Sequence, residues 1–518
     1  MLQHFSLRQW GLWLTIVFAP IHVLAQSGSA QPVDVVHYDL ELQLDAAKQR
    51  LAGTVTVAFQ ALANVQELSL DLHDSLKVAR AVWEGKPIPH RHEAGALRLK
   101  FPQSLKTGEA YELSVVFYGQ PAERYPGEEK VWRKDHFDKD WVVLNDEWVM
   151  ESGWWPAFRY QQESADSAHI HVIFPRDAMA VAPGTLQQLE NRPGGFQRWT
   201  YLLEGPLHPR DIEVYVGDYV RMREPYTQGG RPRVLTYYIL AYHHSFSAEY
   251  LVQQRRMLAF LEQAFGPYPY WHQGYTWVES SPFYDQQGHQ RSASEVFSNN
   301  KWGFDAGLLH DLSRAWFGRN IQAASETDLW VINAIRVYIE AMYVQHLYDQ
   351  KAAREYLDAQ AQDNRGAWML FTLSSLTPDW EIWQDMLREM SDTFSEEPLT
   401  GKAFKEFFAS RMAEDYEPVF NQYLHYEELP IFEYRFVKHG KKTDFEYRWR
   451  AIEPGFNLPI TIAVEAETYR LSPTKEWQAL HEKSLNPKTL SIDMHTGWFE
   501  VHEVTEVKKK KNGKRRNG

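Results

Sequence analysis

The sequence predicts a multidomain α+β chain, with a β-rich N-terminal part, a mostly helical middle and a small β unit near the C-terminal end. Three observations carry this. From Val33 to about Tyr219 apolar and polar residues alternate in short runs, the period of half-buried strands. From Leu308 to about Met412 the apolar residues recur at helical spacing. From about Leu429 the two-residue alternation returns. A length of 518 residues suggests two to four domains, and no internal repeat is present.

The first residues read as a secretory leader. Arg8 lies in a short polar lead, an apolar run follows from Trp10 to Ala25, and Val23-Leu24-Ala25 precedes a polar GlnSerGlySer. The run is too short for a membrane span and ends in a small-residue cleavage pattern. Cleavage is expected after Ala25, with Ala30 as the alternative. No later stretch is apolar enough to span a bilayer, so the mature chain is expected to be exported and soluble, periplasmic or extracellular. The absence of cysteine excludes disulfides, thiol catalysis and Cys-based metal sites.

The strands follow in order: VVHYDLELQLD, GTVTVAFQAL after a turn at Gln49 to Gly53, YELSVVFYG and HIHVIFP. Pro, Gly and charged residues cluster at Glu224 to Arg233, a boundary signal. TYYILAYHH is then a strand, and Ser245 to Ala264 a helix with Ser247 as its N-cap. Leu308, Leu312, Ala315 and Trp316 form one apolar helical face, and Trp330, Ala334, Tyr338, Ala341 and Met342 another. IFEYRF, DFEYRWRA, FNLPITIAV and ETYRLSP are the closing strands. The limits read from these shifts are a leader at 1–25, a β domain at 31–223, a helical domain at 224–427, a β-sandwich at 428–505 and a basic tail at 506–518. The 20 tryptophans are expected mainly in cores, because aromatic residues dominate burial.

Net charge is −13, although the last eleven residues, KKKKNGKRRNG, carry seven positive charges. So acidic a body argues against nucleic acid as a partner. These eleven residues include no apolar one and read as a solvated, disordered segment, with contact to anionic surfaces as the alternative.

The chemistry concentrates in His310 to Tyr338, HDLSRAWFGRNIQAASETDLWVINAIRVY. This stretch resembles the active-site core of the M1 zinc aminopeptidases, the aminopeptidase N-like gluzincins. That family carries HExxH, eighteen residues, then a Glu, with WWG after the first half and a DLW and a final Tyr around the second. Trp316-Phe317-Gly318, Asp328-Leu329-Trp330 and Tyr338 fill the flanking positions here. Further segments in the same order support the resemblance: the YDLELQLD opening, HPRDIEVYVGDY with Arg210 and Asp211, FGPYP, and Gly366-Ala367-Trp368. It implies a saddle-like N-terminal β domain, a thermolysin-like, mostly helical domain and a small C-terminal β-sandwich.

The resemblance also implies where a zinc site would lie, and there the residues depart. His310 keeps its place. Asp311 stands for the general base, Arg314 for the second His ligand and Asn333 for the third ligand, a Glu. His289 and Gln290 stand where the amine-anchoring loop has Met and Glu, and Asp363 where the family has the Tyr that steadies the oxyanion. A catalytic zinc takes three protein ligands and an open water position, whose water needs a general base. Arg has no lone pair and stays protonated. A carboxylate at Asp363 would repel developing negative charge.

The reading is therefore a pseudoenzyme with no zinc cofactor and His310 as a vestigial ligand. Its former cleft, formed by His289, Gln290, His310, Asp311, Arg314, Asn333 and Asp363, takes a peptide, protein or envelope ligand. The alternative is an active metallo-aminopeptidase with a rearranged site built from His310, Asp311, Glu326 and Asp363, with His289. A purely structural subunit is a third reading. In the first, Arg314 is expected to replace the metal as a fixed cation, paired with Asp311 or Asp363, with Glu340 in reserve.

Overall fold

The computed structural model describes residues 32–123, 131–145, 153–158, 164–280, 301–360, 365–395, 397–412, 414–439, 442–464, 467–480 and 487–504. The leader, the basic tail, His289, Gln290 and Asp363 lie outside them. The described residues form a β-rich N-terminal region, a central helical region and a C-terminal β region.

The N-terminal region is built on an eight-stranded sheet with Val33–Asp45 near its centre. That strand pairs antiparallel with Arg50–Ala61 and parallel with Ala165–Pro175. Its side chains show why the alternation is not uniform. Val33 and Val35 are buried, then Tyr38, Leu40, Leu42 and Leu44. A register shift between Val35 and His37 moves the buried set from odd to even positions, as an inserted residue does in a ladder. It leaves His37, Asp39 and Glu41 on the outer face. Beneath the sheet, Trp154 and Trp155 are fully buried. Trp155 meets Tyr38 edge to face at 5.1 Å, and the Tyr38 hydroxyl accepts a hydrogen bond from the Phe158 N–H at 3.1 Å.

A hairpin of Tyr219–Gln228 and Arg231–Leu240, with Tyr275–Val278 parallel to its second strand, leads into the helices. The hairpin spans Glu224 to Arg233, with its turn at Gly229 and Gly230, both at positive φ. The first long helix is Ser247–Phe265, entered through a 3-10 segment, Ala241–Phe246. Ser247 does not cap it. It is the first residue of the helix rather than the one before it, and its hydroxyl donates back to the His244 carbonyl at 2.9 Å.

The C-terminal region has two sheets, one of four strands and one of three, the layering of a small sandwich. Trp368 stacks on Trp498 at 5.4 Å, locking the helices to it. Trp141, Trp154, Trp155, Trp316, Trp368, Trp383 and Trp449 are all fully buried, so these tryptophans serve packing. Among the described residues no helix is long and apolar enough to cross a membrane.

Candidate functional site

His310 lies on the helix Ala306–Ser313. Leu308, Leu309 and Leu312 anchor one side of this helix in the core. Asp305 caps it, accepting from the Leu308 N–H at 3.1 Å, and burial raises the Asp305 carboxyl above its ordinary value. The helix is shorter than the periodicity suggests. It ends at Ser313, and Ala315 and Trp316 follow in tighter turns, the Ala315 N–H donating to the Leu312 carbonyl at 3.2 Å and the Trp316 N–H to the Ser313 carbonyl at 3.1 Å, before the Gly318 N–H bonds the Ile321 carbonyl at 2.8 Å. Gly318 has φ +126°, which a side chain rarely adopts. Arg314 retains helical backbone angles as the C-cap, so it stays roughly one turn beyond His310.

Asn333 and Glu340 sit on the neighbouring helix Leu329–Leu347, two turns apart. Glu340, 7% exposed, is the direct partner of His310. His310 Nδ1 lies 2.8 Å from Glu340 Oε1, and the Tyr356 hydroxyl donates to Oε2 at 2.6 Å. An ionised carboxylate only accepts, so Nδ1 carries the proton. In the neutral ring this leaves Nε2 with the lone pair, the tautomer that an outer carboxylate fixes in metal-bound histidines. The His310 carbonyl accepts from Ser313 Oγ at 2.7 Å and Arg336 Nη2 at 3.1 Å. The ion pair of Glu340 among the described residues is thus with His310 rather than with Arg314.

His310 keeps a ligand's support without a ligand's companions. Asn333 is exposed, and Arg314, one turn after His310, is a permanent cation with no lone pair to offer a metal. These residues do not fit zinc. Nor does the rearranged set come together among the described residues. Glu326 lies exposed in the short turn Glu326–Asp328. Among the described residues, the one group of three metal-capable side chains is His37, Asp39 and His169, on the N-terminal sheet.

Asp311 and Arg314 instead line a cavity of about 250 Å³ between the N-terminal and helical regions. Aromatic walls come from Tyr215, Tyr268, Tyr270, Tyr275 and Trp277. Burial pushes the Tyr268 hydroxyl up to about 12 and raises Tyr270 as well, so both stay neutral. Arg319 ties the two walls together. Its Nη2 lies 3.1 Å from Glu213 Oε1, and its Nε 3.2 Å from Asp211 Oδ1 in an ionic contact without good hydrogen-bond alignment. The Tyr215 hydroxyl donates to Glu213 Oε2 at 2.5 Å. Asp211 also accepts the His208 N–H at 3.1 Å, in a reciprocal cap of the short turn Pro209–Asp211. The HPRDIEV segment is therefore the N-terminal half of an ion-paired seam, with Asp211 and Glu213 as its acids. Its Arg319 partner could be read from the sequence only as an unassigned cation after Gly318.

Neither a protein-family model nor a curated protein sequence matches the chain. Solved structures do. The M1 zinc metallopeptidase from Deinococcus radiodurans matches at TM-score 0.62 and 20% identity, over 77% of this chain and 95% of that one. Its E323A mutant bound to a Tyr-Ser-Ala substrate matches at TM-score 0.60 and 21% identity, over 76% and 94%. A two-domain M1 zinc metallopeptidase E323A mutant bound to L-tryptophan matches at TM-score 0.62 and 20% identity, over 77% and 96%. The chain has the fold of the M1 zinc metallopeptidases, and its sequence contains no HExxH.

Proposed function

We propose that this is an exported, catalytically inactive M1-fold protein that binds a peptide or an exposed protein segment in its former active-site cleft. The leader at 1–25 supports export, with the β domain at 31–223, the helical domain at 224–427 and the sandwich at 428–505 as the mature parts. The observation that carries the reading is Arg314. A permanent cation lines the cavity one turn after the surviving histidine, beside Asp311, where hydrolysis needs an ion held by neutral or anionic donors. Aromatic walls with a few charged groups suit a short peptide. The related Deinococcus mutant was solved with Tyr-Ser-Ala, which makes that tripeptide a rational first probe. The basic tail is read as solvated.

The test has two arms. Purified mature protein should leave aminoacyl anilides and short peptides unhydrolysed above background, since the base and oxyanion donor are each worth roughly 10²-fold or more in rate. A turnover abolished by Asp311→Asn would overturn the reading. Calorimetric titration with Tyr-Ser-Ala should show binding that weakens in Arg314→Ala. A titration flat to millimolar peptide would remove the peptide-binding half.

A further inference from the structure

The outer face of the N-terminal sheet holds a group of side chains that the cleft does not use. His37 and Asp39 alternate on Val33–Asp45, and His169 and His171 on Ala165–Pro175. The strands are parallel neighbours in a register that sets Asp39 beside His169 and Glu41 beside His171. Positions i and i+2 share a face, and neighbouring strands lie about 4.8 Å apart, so all four residues converge. One donor atom from each of His37, Asp39 and His169 lies within 4.8 Å of the others. His37 Nε2 and His169 Nδ1 are 3.1 Å apart. Two ligands on a tetrahedral zinc at about 2.0–2.1 Å are separated by about 3.3 Å, so the nitrogens already stand near the required spacing.

The surroundings are built to aim these donors. The second nitrogen of His37, Nδ1, is held by Ser167 Oγ at 2.7 Å, which turns Nε2 toward His169. His171 is buried, with Nδ1 at 2.9 Å from Thr200 Oγ1 and Nε2 at 3.5 Å from Asp39 Oδ1. It also stacks on His169, ring centroids 5.9 Å apart. Such outer partners orient metal ligands and stiffen the site. A hydrogen-bonded polar face explains the His37–His169 contact alone. It leaves unexplained why a carboxylate and two imidazoles, one of them held by the Ser167 hydroxyl, meet on strands about 130 residues apart.

We propose that His37, Asp39 and His169 bind a late first-row divalent cation of the zinc class. His171, Ser167 and Thr200 orient the ligands, and water completes the coordination. Two imidazoles and one carboxylate suit zinc, copper or nickel better than calcium or magnesium, which prefer all-oxygen sites.

The experiment titrates Zn²⁺ alone into metal-stripped, full-length mature protein by calorimetry, with thermal unfolding in parallel. About one zinc per chain is expected, with a rise in Tm. His169→Gln and Asp39→Asn, each checked for wild-type circular dichroism and for unchanged Tm in EDTA, should weaken binding at least about 10-fold, the scale on which even outer-shell losses are felt. Because the face is partly solvated, at least one of the two should fold. His310→Ala should leave the affinity unchanged. Zinc binding that persists in a folded His37→Gln/His169→Gln double variant would refute the site, as would no binding of Zn²⁺, Cu²⁺ or Ni²⁺ at millimolar concentration. Loss of zinc in His310→Ala but not in His169→Gln would place the ion in the cleft and refute the non-catalytic reading as well. Failure of the sheet site alone leaves that reading standing.

Discussion

Glu340 and His310 are joined across two helices, with 2.8 Å between carboxylate and imidazole and the Tyr356 hydroxyl on the second oxygen at 2.6 Å. Removing the acceptor leaves two donors without their partner. Glu340→Ala is expected to destabilise the fold by about 2–3 kcal/mol and Tyr356→Phe by about 1 kcal/mol, read from urea midpoints at constant m-value. A loss below about 0.5 kcal/mol for Glu340→Ala would mean that solvent replaces the carboxylate freely.

Arg314→His by itself should not create a zinc site in the cleft, because two histidines remain one protein ligand short. Adding Asn333→Glu completes the ligand set. Both variants are compared in a His169→Gln background, which removes zinc uptake by the sheet. Equal zinc content in the single and double variants would contradict the ligand count.

Arg319 bridges to Glu213 and Asp211 across the cavity wall, with its side chain 29% exposed. Arg319→Ala is expected to cost about 2 kcal/mol, below the roughly 3–5 kcal/mol for breaking a fully buried pair because solvent reaches the site. Limited proteolysis should also show faster cutting near the seam. Unchanged stability and unchanged cleavage would demote the seam to a surface contact.

Asp305 makes a pH prediction with a definite sign. Burial raises its native carboxyl above the ordinary 3.8, so the folded state holds the proton more tightly than the unfolded state. Its contribution is favourable below 3.8 and falls as pH rises through the raised native value. Asp305→Asn keeps an N-cap acceptor and should remove this acid-range slope. At pH 7 it should be as stable as wild type, whereas Asp305→Ala should lose about 1 kcal/mol. An unaltered slope in Asp305→Asn would assign the acid dependence elsewhere.

The sequence by itself determined the three-part layout and the spacing within the stretch that resembles a metal motif. Both depend on local spacing: two-residue alternation for VVHYDLELQLD and HIHVIFP, and a fixed count from His310 to Asn333. It also placed Arg314 one turn after His310, which any helical backbone does. Only the tertiary structure decided what these side chains face. Glu340 could be named as an acid near Arg314, but its choice of His310 depends on how two helices cross. The helix ends at Ser313, where the chain tightens into three-residue turns through Ala315 and Trp316, although the apolar pattern runs on to Trp316. The HxD and HxH pairs were visible as strand residues, yet nothing in either strand states that they are parallel neighbours in a register that brings His37 Nε2 within 3.1 Å of His169 Nδ1. Periodicity fixes which face a side chain occupies. Partners from distant parts of the chain are set by the packing of whole elements, where many small burial terms outweigh any single polar contact.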